Sequence, residues 1–265
     1  MKEAMARSKV ILLSITALFL MLWAPLGQYE FLIENWMKLG TYVVPFILIS
    51  FLAAKTEPVT KSFSNRSLIS ILLLTAYMIH QFEEHWIDIF GNQYAFYGYL
   101  NNLLRSALGS TDPGVIIATP AAIFVINTSL VWLIGLIALW RSPVHLFPVL
   151  AMNGIVLINA VSHILSGISK VSYNPGLLTA ISIFLPLSIA VYRDILRKYP
   201  EVKLQAIASV VWAILAHVIL IAGLLAANWF HWISEPVYFG ILVIWSVLPA
   251  FLFTTPLPKF REQRQ

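Results

Sequence analysis

Long apolar runs separated by short polar breaks dominate the chain. Eight such runs can be drawn, at residues 10–26, 38–54, 67–90, 115–140, 144–169, 176–197, 204–226 and 236–255. Each is near the length of about 20 residues that a helix needs to cross a bilayer. The pattern predicts an all-α, polytopic integral membrane helical bundle with about eight transmembrane helices. The run 38–54 is the weakest, because Pro45 interrupts it.

The distribution of basic residues supports this count. With a cytoplasmic N-terminus and eight crossings, only Lys38, Arg105 and Lys170 of the 17 Lys and Arg residues fall on the outer side. The positive-inside rule expects such an asymmetry, so we predict that both termini are cytoplasmic. Omitting the first two runs together leaves the later orientation unchanged, so a core of six helices remains the alternative.

Composition agrees with a membrane location. The chain is 59% hydrophobic and 11% charged, whereas soluble domains carry about 25% charged residues. We therefore expect one transmembrane domain over residues 1–265. The net charge of +5 follows from the topology, so we expect no nucleic-acid partner. The chain has no cysteine, which excludes thiolate sites and leaves His, Asp, Glu, Asn and Tyr as possible metal ligands.

The densest chemistry lies in the third run, where residues 80–85 read His-Gln-Phe-Glu-Glu-His. Ionisable groups are costly in hydrocarbon, and they usually persist because they pair, bind a cation or face a water-filled cavity. On an α-helix that turns about 100° per residue, His80, Glu83 and Glu84 share one face. His85 lies about 140° from His80 and is expected on a different surface.

Two more polar elements follow later in the chain. Asn159 and His163 are four residues apart in the fifth run, so they face the same side of a helix. The third and fifth runs both lead outward, and we expect their polar faces to meet. Residues 173–176, Tyr-Asn-Pro-Gly, are typical of a tight turn where a helix begins.

These residues also carry a resemblance. His80-x-x-Glu83-Glu84, the later His163, and a Tyr-x-Pro-Gly sequence that begins at Tyr173 occur in the order typical of the HXXEE family of bacterial and archaeal membrane proteins. The chain resembles that family over residues 68–195. The resemblance implies shared site residues in a prokaryotic cell membrane, but it names no reaction.

The first hypothesis is a divalent metal site with His80, Glu84 and His163 as ligands. Zinc is the first choice, and iron or manganese are alternatives. Zinc takes nitrogen and oxygen ligands, and three protein ligands plus a water make a hydrolytic centre. The corresponding function is a metal-dependent membrane hydrolase. Its partners would be membrane lipid and an amphipathic substrate, namely a lipid, a lipid-linked metabolite or a peptide.

The predicted catalytic residues are Glu83, Asn159 and Tyr173. Glu83 is the predicted general base, although Glu83 and Glu84 could exchange roles. Asn159 would orient the water or hydrogen-bond the second nitrogen of His163. Tyr173 would close the site from outside or anchor the membrane interface.

Other hypotheses remain open. Paired glutamates on one helix and a histidine on another resemble the glutamate-type intramembrane proteases, which need no metal, but Ile87 and Asp88 stand where those proteins carry an arginine. Proton or ion translocation, as a transporter or channel, is a second alternative. The other apolar runs contain few ionisable residues that could relay a proton, and His217 is the main candidate. A purely structural polar cluster is the third.

The long connection from Gly91 to Gly114 is rich in aromatic residues and contains a short amphipathic piece. It is typical of an interfacial helix, which could act as a lid over the site or as part of an aromatic belt. Within the apolar runs, Asn127 and Asn153 are expected to form hydrogen bonds between helices.

Overall fold

The computed structural model describes residues 30–54 and 65–253, and these residues form eight helices. The helices are α1 (Glu30–Ala54), α2 (Asn65–Gln81, continued by the π-helical turn Phe82–Trp86), α3 (Ala95–Ala107), α4 (Pro120–Arg141), α5 (Phe147–Lys170), α6 (Leu177–Lys198), α7 (Pro200–Trp229) and α8 (Glu235–Ala250). Within the described ranges there is no β-strand, so the all-α prediction is confirmed.

Four of the described helices, α4 to α7, are long and apolar enough to cross a membrane. The helix α8 is apolar but shorter. These lengths indicate an integral membrane protein built as a helical bundle. The count of about eight spans and the six-helix alternative both stay predictions. The run 10–26 and the two termini, on which the predicted orientation depends, lie outside the described residues.

The second apolar run forms a longer helix than its sequence predicts. The helix α1 begins at Glu30 rather than at residue 38, and Pro45 lies inside it without ending it. Proline is tolerated in membrane helices because neighbouring groups satisfy the carbonyl that it leaves free. On α1 the buried Trp36 packs between His85 and Trp132, with ring centroids 5.0 and 5.9 Å away.

The centre of the bundle is α5, whose first ten residues, 147–156, are all buried. It makes its most extensive packing with α7. At Gly154 the two backbones are so close that a Cβ atom would lie 2.7 Å from the Ser209 carbonyl oxygen and 3.1 Å from the Ala213 Cβ. Small residues permit this approach, and dense van der Waals packing is what holds membrane helices together.

Buried amides join the helices, as the sequence predicts. Asn127 accepts a hydrogen bond of 3.0 Å from the Gln81 amide, and Gln81 in turn accepts one of 2.9 Å from the Trp132 indole N–H. Asn153 donates to the Ser188 carbonyl at 3.2 Å. The first network fixes the end of α2 against α4, next to the polar residues of the HQFEEH stretch.

We predict that Gly154→Ala lowers the melting temperature of the purified protein in detergent. The added methyl group must separate α5 from α7, and overpacking of this kind typically costs about 1–3 kcal/mol. Gly240→Ala is the matched control, because a Cβ atom there meets nothing within 4 Å. Equal melting temperatures for the two variants would contradict the close contact at Gly154.

Candidate metal site

The end of α2 is wound more widely than an α-helix. The Ile87 N–H donates to the Phe82 carbonyl at 2.9 Å, which closes a π-helical turn. Each residue of such a turn rotates the chain by less than in an α-helix. His85 consequently lies beside Glu84, with its Nε2 atom 2.9 Å from Glu84 Oε2. The prediction that His85 belongs to a different surface is therefore wrong.

The structure brings the three predicted metal ligands together. His80 and Glu84 come from α2, and His163 comes from α5. Glu84 Oε2 lies 3.4 Å from His80 Nε2, and Glu84 Oε1 lies 3.1 Å from His163 Nε2. One ligand atom from each residue can be chosen so that all three lie within 4.8 Å of one another, and all three residues are buried. The cluster could therefore hold a metal ion.

A hydroxyl group fixes the proton on His80. Thr179 Oγ1 lies 2.7 Å from His80 Nδ1 and donates its own proton to Glu83 Oε2 at 2.6 Å. A hydroxyl has a single proton, so Thr179 must accept the hydrogen bond from His80 Nδ1–H. The Nε2 atom of His80 is then a free lone pair, and it has no hydrogen-bond partner.

An amide fixes the proton on His163 in the same way. Asn174 donates from Nδ2 to the His163 carbonyl at 3.0 Å, and this contact sets the orientation of its amide. Asn174 Oδ1 then accepts from His163 Nδ1–H at 2.6 Å. In a neutral imidazole, the proton on Nδ1 leaves the lone pair on Nε2, which lies 3.1 Å from Glu84 Oε1. Asn159, which was predicted to make the contact that Asn174 makes, does not.

With both imidazoles neutral, two Nε2 lone pairs point at one carboxylate inside the protein. Three electron-rich groups repel one another strongly where the dielectric constant is low. A cation between them reverses the sign of this interaction, and two imidazole nitrogens with one carboxylate oxygen are a donor set that zinc uses. The hydrogen bonds from Nδ1 to Thr179 and Asn174 are the outer contacts that metal-bound histidines usually make. The residues present therefore fit a divalent metal ion.

Glu83 has a different environment from Glu84. Its Oε1 atom accepts from the Tyr173 hydroxyl and the Leu178 N–H, both at 3.0 Å. Its Oε2 atom accepts from the Thr179 N–H at 2.7 Å and from the Thr179 hydroxyl. A carboxylate has about four lone-pair positions, and all four are used here. Glu83 thus ties the end of α2 to the start of α6, and its role as general base stays a prediction.

Tyr173 is held at the edge of this contact. Its ring packs edge-on against Phe90 with centroids 5.1 Å apart, and its hydroxyl donates to Glu83. Burial and the charge of Glu83 raise the pKa of Tyr173, which keeps the hydroxyl protonated as a donor. Tyr173 thus lies next to the predicted site, and its hydroxyl group donates its hydrogen bond to Glu83.

Asp88 does not join the cluster. It accepts hydrogen bonds from the backbone N–H groups of Phe90 and Asn92, each at 2.9 Å, and closes its own loop. Burial raises the pKa of Asp88, but the hydrogen bonds from Asn92 and Phe90 outweigh it and hold the pKa below its ordinary value. His85 is therefore the last ionisable residue of α2 that contacts the cluster.

Gly176 forms one wall of the site. Its φ of +93° is a left-handed conformation that side chains rarely adopt. A Cβ atom there would lie 2.7 Å from His80 Cε1 and 2.9 Å from His163 Cε1. The turn that begins at Tyr173 thus does more than reverse the chain, because its backbone closes over both imidazoles.

A cavity of about 290 Å³ adjoins the cluster. Its lining includes the polar residues Glu84, His85, Asn159, His163, Asn174 and His217, together with apolar side chains from α3, α4, α5 and α7. The helix α3 covers it with Phe96, Tyr99, Leu100 and Leu103, and the Tyr99 hydroxyl hydrogen-bonds Ser166. Asn159 lines this cavity, and its Oδ1 atom has no hydrogen-bond partner.

Fold and site together define a helical membrane protein with a buried cluster of two histidines and a glutamate. Residues 71–191 match the model of a family described as "Protein of unknown function with HXXEE motif". The resemblance predicted from the three motifs is confirmed. No curated protein and no solved structure matches the chain.

We predict that Thr179→Val lowers the free energy of unfolding by about 1–3 kcal/mol, because it leaves His80 Nδ1–H without a buried partner and removes one of the four hydrogen bonds to Glu83. Thr179→Ser keeps the hydroxyl and is the matched control. Thermal or chemical unfolding in detergent measures both. If the valine and serine variants are equally stable, the hydroxyl does not hold His80 in place.

Proposed function

We propose that this protein is a metal-dependent membrane hydrolase whose divalent ion is held by His80, Glu84 and His163. The observation that carries the proposal is that the Nε2 atoms of two histidines lie 3.4 and 3.1 Å from the oxygens of one buried carboxylate. Zinc is the metal that we favour, with iron or manganese as alternatives, because all three accept imidazole and carboxylate ligands.

A zinc ion bound at such a site supplies a Lewis acid and lowers the pKa of a bound water to about 7. The rest of the chemistry falls to the side chains around it. Thr179 and Asn174 keep the two imidazoles in the tautomer that presents Nε2. His85 Nε2 lies 2.9 Å from Glu84 Oε2, where its N–H can donate to the carboxylate and orient it.

Two groups remain to handle the substrate. Glu84 is the carboxylate of the HxxEE motif that lines the cavity, so it is the group that can take a proton there. Asn159 presents a carbonyl oxygen with no partner to the same cavity, and it can accept a hydrogen bond from a substrate or a water molecule. Glu83 and Tyr173 hold the start of α6 in place and serve the site indirectly.

This division of roles also bears on the metal-free alternative. A glutamate-type protease needs a carboxylate that is free to activate water, and Glu83 uses all four of its acceptor positions on α6 and Tyr173. The single remaining carboxylate, Glu84, faces two imidazole lone pairs, which favours a cation over a bare acid. The geometry therefore supports metal chemistry better than carboxylate chemistry.

We predict near-stoichiometric zinc, iron or manganese in the purified protein by elemental analysis. His80→Gln and His163→Gln each remove one ligand, so the metal content should fall to background while a folded melting transition remains. His145→Gln is the control, since His145 is buried just before the start of α5, at its far end from His163. A wild-type protein that stays metal-free after incubation with each of these ions would overturn the proposal.

A further inference from the structure

We infer that the substrate reaches the site sideways from the bilayer, between α5 and α7, and that it is a single-chain amphiphile with a hydroxyl or N–H group near its reacting end. This inference rests on the proposed function, because it assigns the substrate class and the path to the same site.

The path begins with the way α5 and α7 pack. Both helices run in the same direction, because the antiparallel α6 connects them. They touch at Gly154 and Ser209, but further along they no longer fill the space between them. His163 and Ser166 of α5 and His217 and Ile221 of α7 line the cavity there. The cavity thus occupies the part of the α5–α7 interface that lies beyond the tight contact.

The rim of the cavity faces lipid. Ser162 and Ile221 are the exposed members of its lining, one on each helix. Their exposed neighbours are apolar, with Leu165 60% and Val218 54% accessible. Both helices are long and apolar enough to span a membrane. An apolar surface at that position is suited to contact with acyl chains rather than with water.

The side of the cavity that α3 lines is covered. The helix α3 lies over the cavity, where Leu100 and Leu104 are buried, and the hydrogen bond between Tyr99 and Ser166 ties it to α5. Asn101 secures the same helix from behind by accepting from the Ile117 and Ala118 N–H groups at 2.8 and 2.9 Å. A substrate that arrives between α5 and α7 does not have to displace this helix.

The shape and lining of the cavity select the substrate. Its volume of about 290 Å³ is at the lower end of the roughly 300–1,000 Å³ found for small-molecule pockets, which suits one hydrocarbon chain better than a two-chain phospholipid. Its walls are largely apolar, and Glu84 and His163 mark its polar end. A molecule with one hydrocarbon chain and one polar end matches both the apolar walls and the polar end of the cavity.

His217 refines the polar requirement. Its Nδ1–H donates to the Ala213 carbonyl at 2.8 Å, so its Nε2 atom is an acceptor. The side chain lines the cavity between the rim residue Ile221, one turn away on α7, and the cluster. An acceptor at this place, together with the free oxygen of Asn159, favours a substrate that carries a donor such as a hydroxyl or an amide N–H.

The test uses the full chain in phosphatidylcholine nanodiscs and a long-chain primary alcohol with a diazirine on its alkyl chain. After illumination, mass spectrometry should find adducts on cavity residues such as Leu100, Leu130 and Ile155. Ile221→Trp should reduce these adducts several-fold by filling the rim. Val218→Trp is the matched control, because Val218 is exposed on the same helix but does not line the cavity, and it should leave the labelling unchanged.

Adducts that form equally in wild type and Ile221→Trp would overturn the lateral path, and a cavity without adducts in wild type would overturn the substrate class. Metal content is measured in the same samples. Retained metal without labelling defeats only this inference, whereas labelling without any bound metal defeats the hydrolase proposal and leaves the path standing. An unlabelled cavity in a metal-free protein would defeat both.

Discussion

The arrangement of the site depends on one electrostatic constraint, which is that the Nε2 atoms of two imidazoles meet the carboxylate of Glu84 inside the bundle. The constraint arises because Thr179 and Asn174 accept the protons of the opposite ring nitrogens. The site therefore requires three segments to meet. The helix α2 supplies His80 and Glu84, α5 supplies His163, and the turn into α6 supplies the acceptors for the two Nδ1–H groups. When both imidazoles are neutral, their Nε2 lone pairs repel the Glu84 carboxylate, and a cation bound between the three groups would replace this repulsion by attraction.

Hydropathy and helical spacing predict most of the helices and part of the candidate site. Six of the seven apolar runs within the described residues become helices close to their expected limits, since a continuous apolar run has few alternatives in a membrane. The run 38–54 differs because its helix begins at Glu30, eight residues earlier, in a segment that contains the polar residues Glu30, Glu34 and Asn35. The spacing of four residues between His80 and Glu84 was enough to place both at one site.

The sequence was less informative wherever the local geometry departs from an ideal α-helix or the contact is distant in the chain. The π-helical turn that brings His85 to Glu84 has no signature in residue spacing. Thr179 lies 99 residues from His80, so nothing near either residue reveals their hydrogen bond. The sequence likewise does not reveal that Glu83 accepts hydrogen bonds from the Leu178 and Thr179 N–H groups at the start of α6.

The shared hydroxyl of Thr179 has a wider consequence. It ties Glu83, which supports α6, to His80, which belongs to the ion-binding cluster. The residues that build this site therefore extend beyond HxxEE. Asn174, Gly176 and Thr179, spaced as N-x-G-x-x-T, contact the two imidazoles from the side of α6. A chain with HxxEE and His163 but without these residues would have the ligands but lack the groups that orient them.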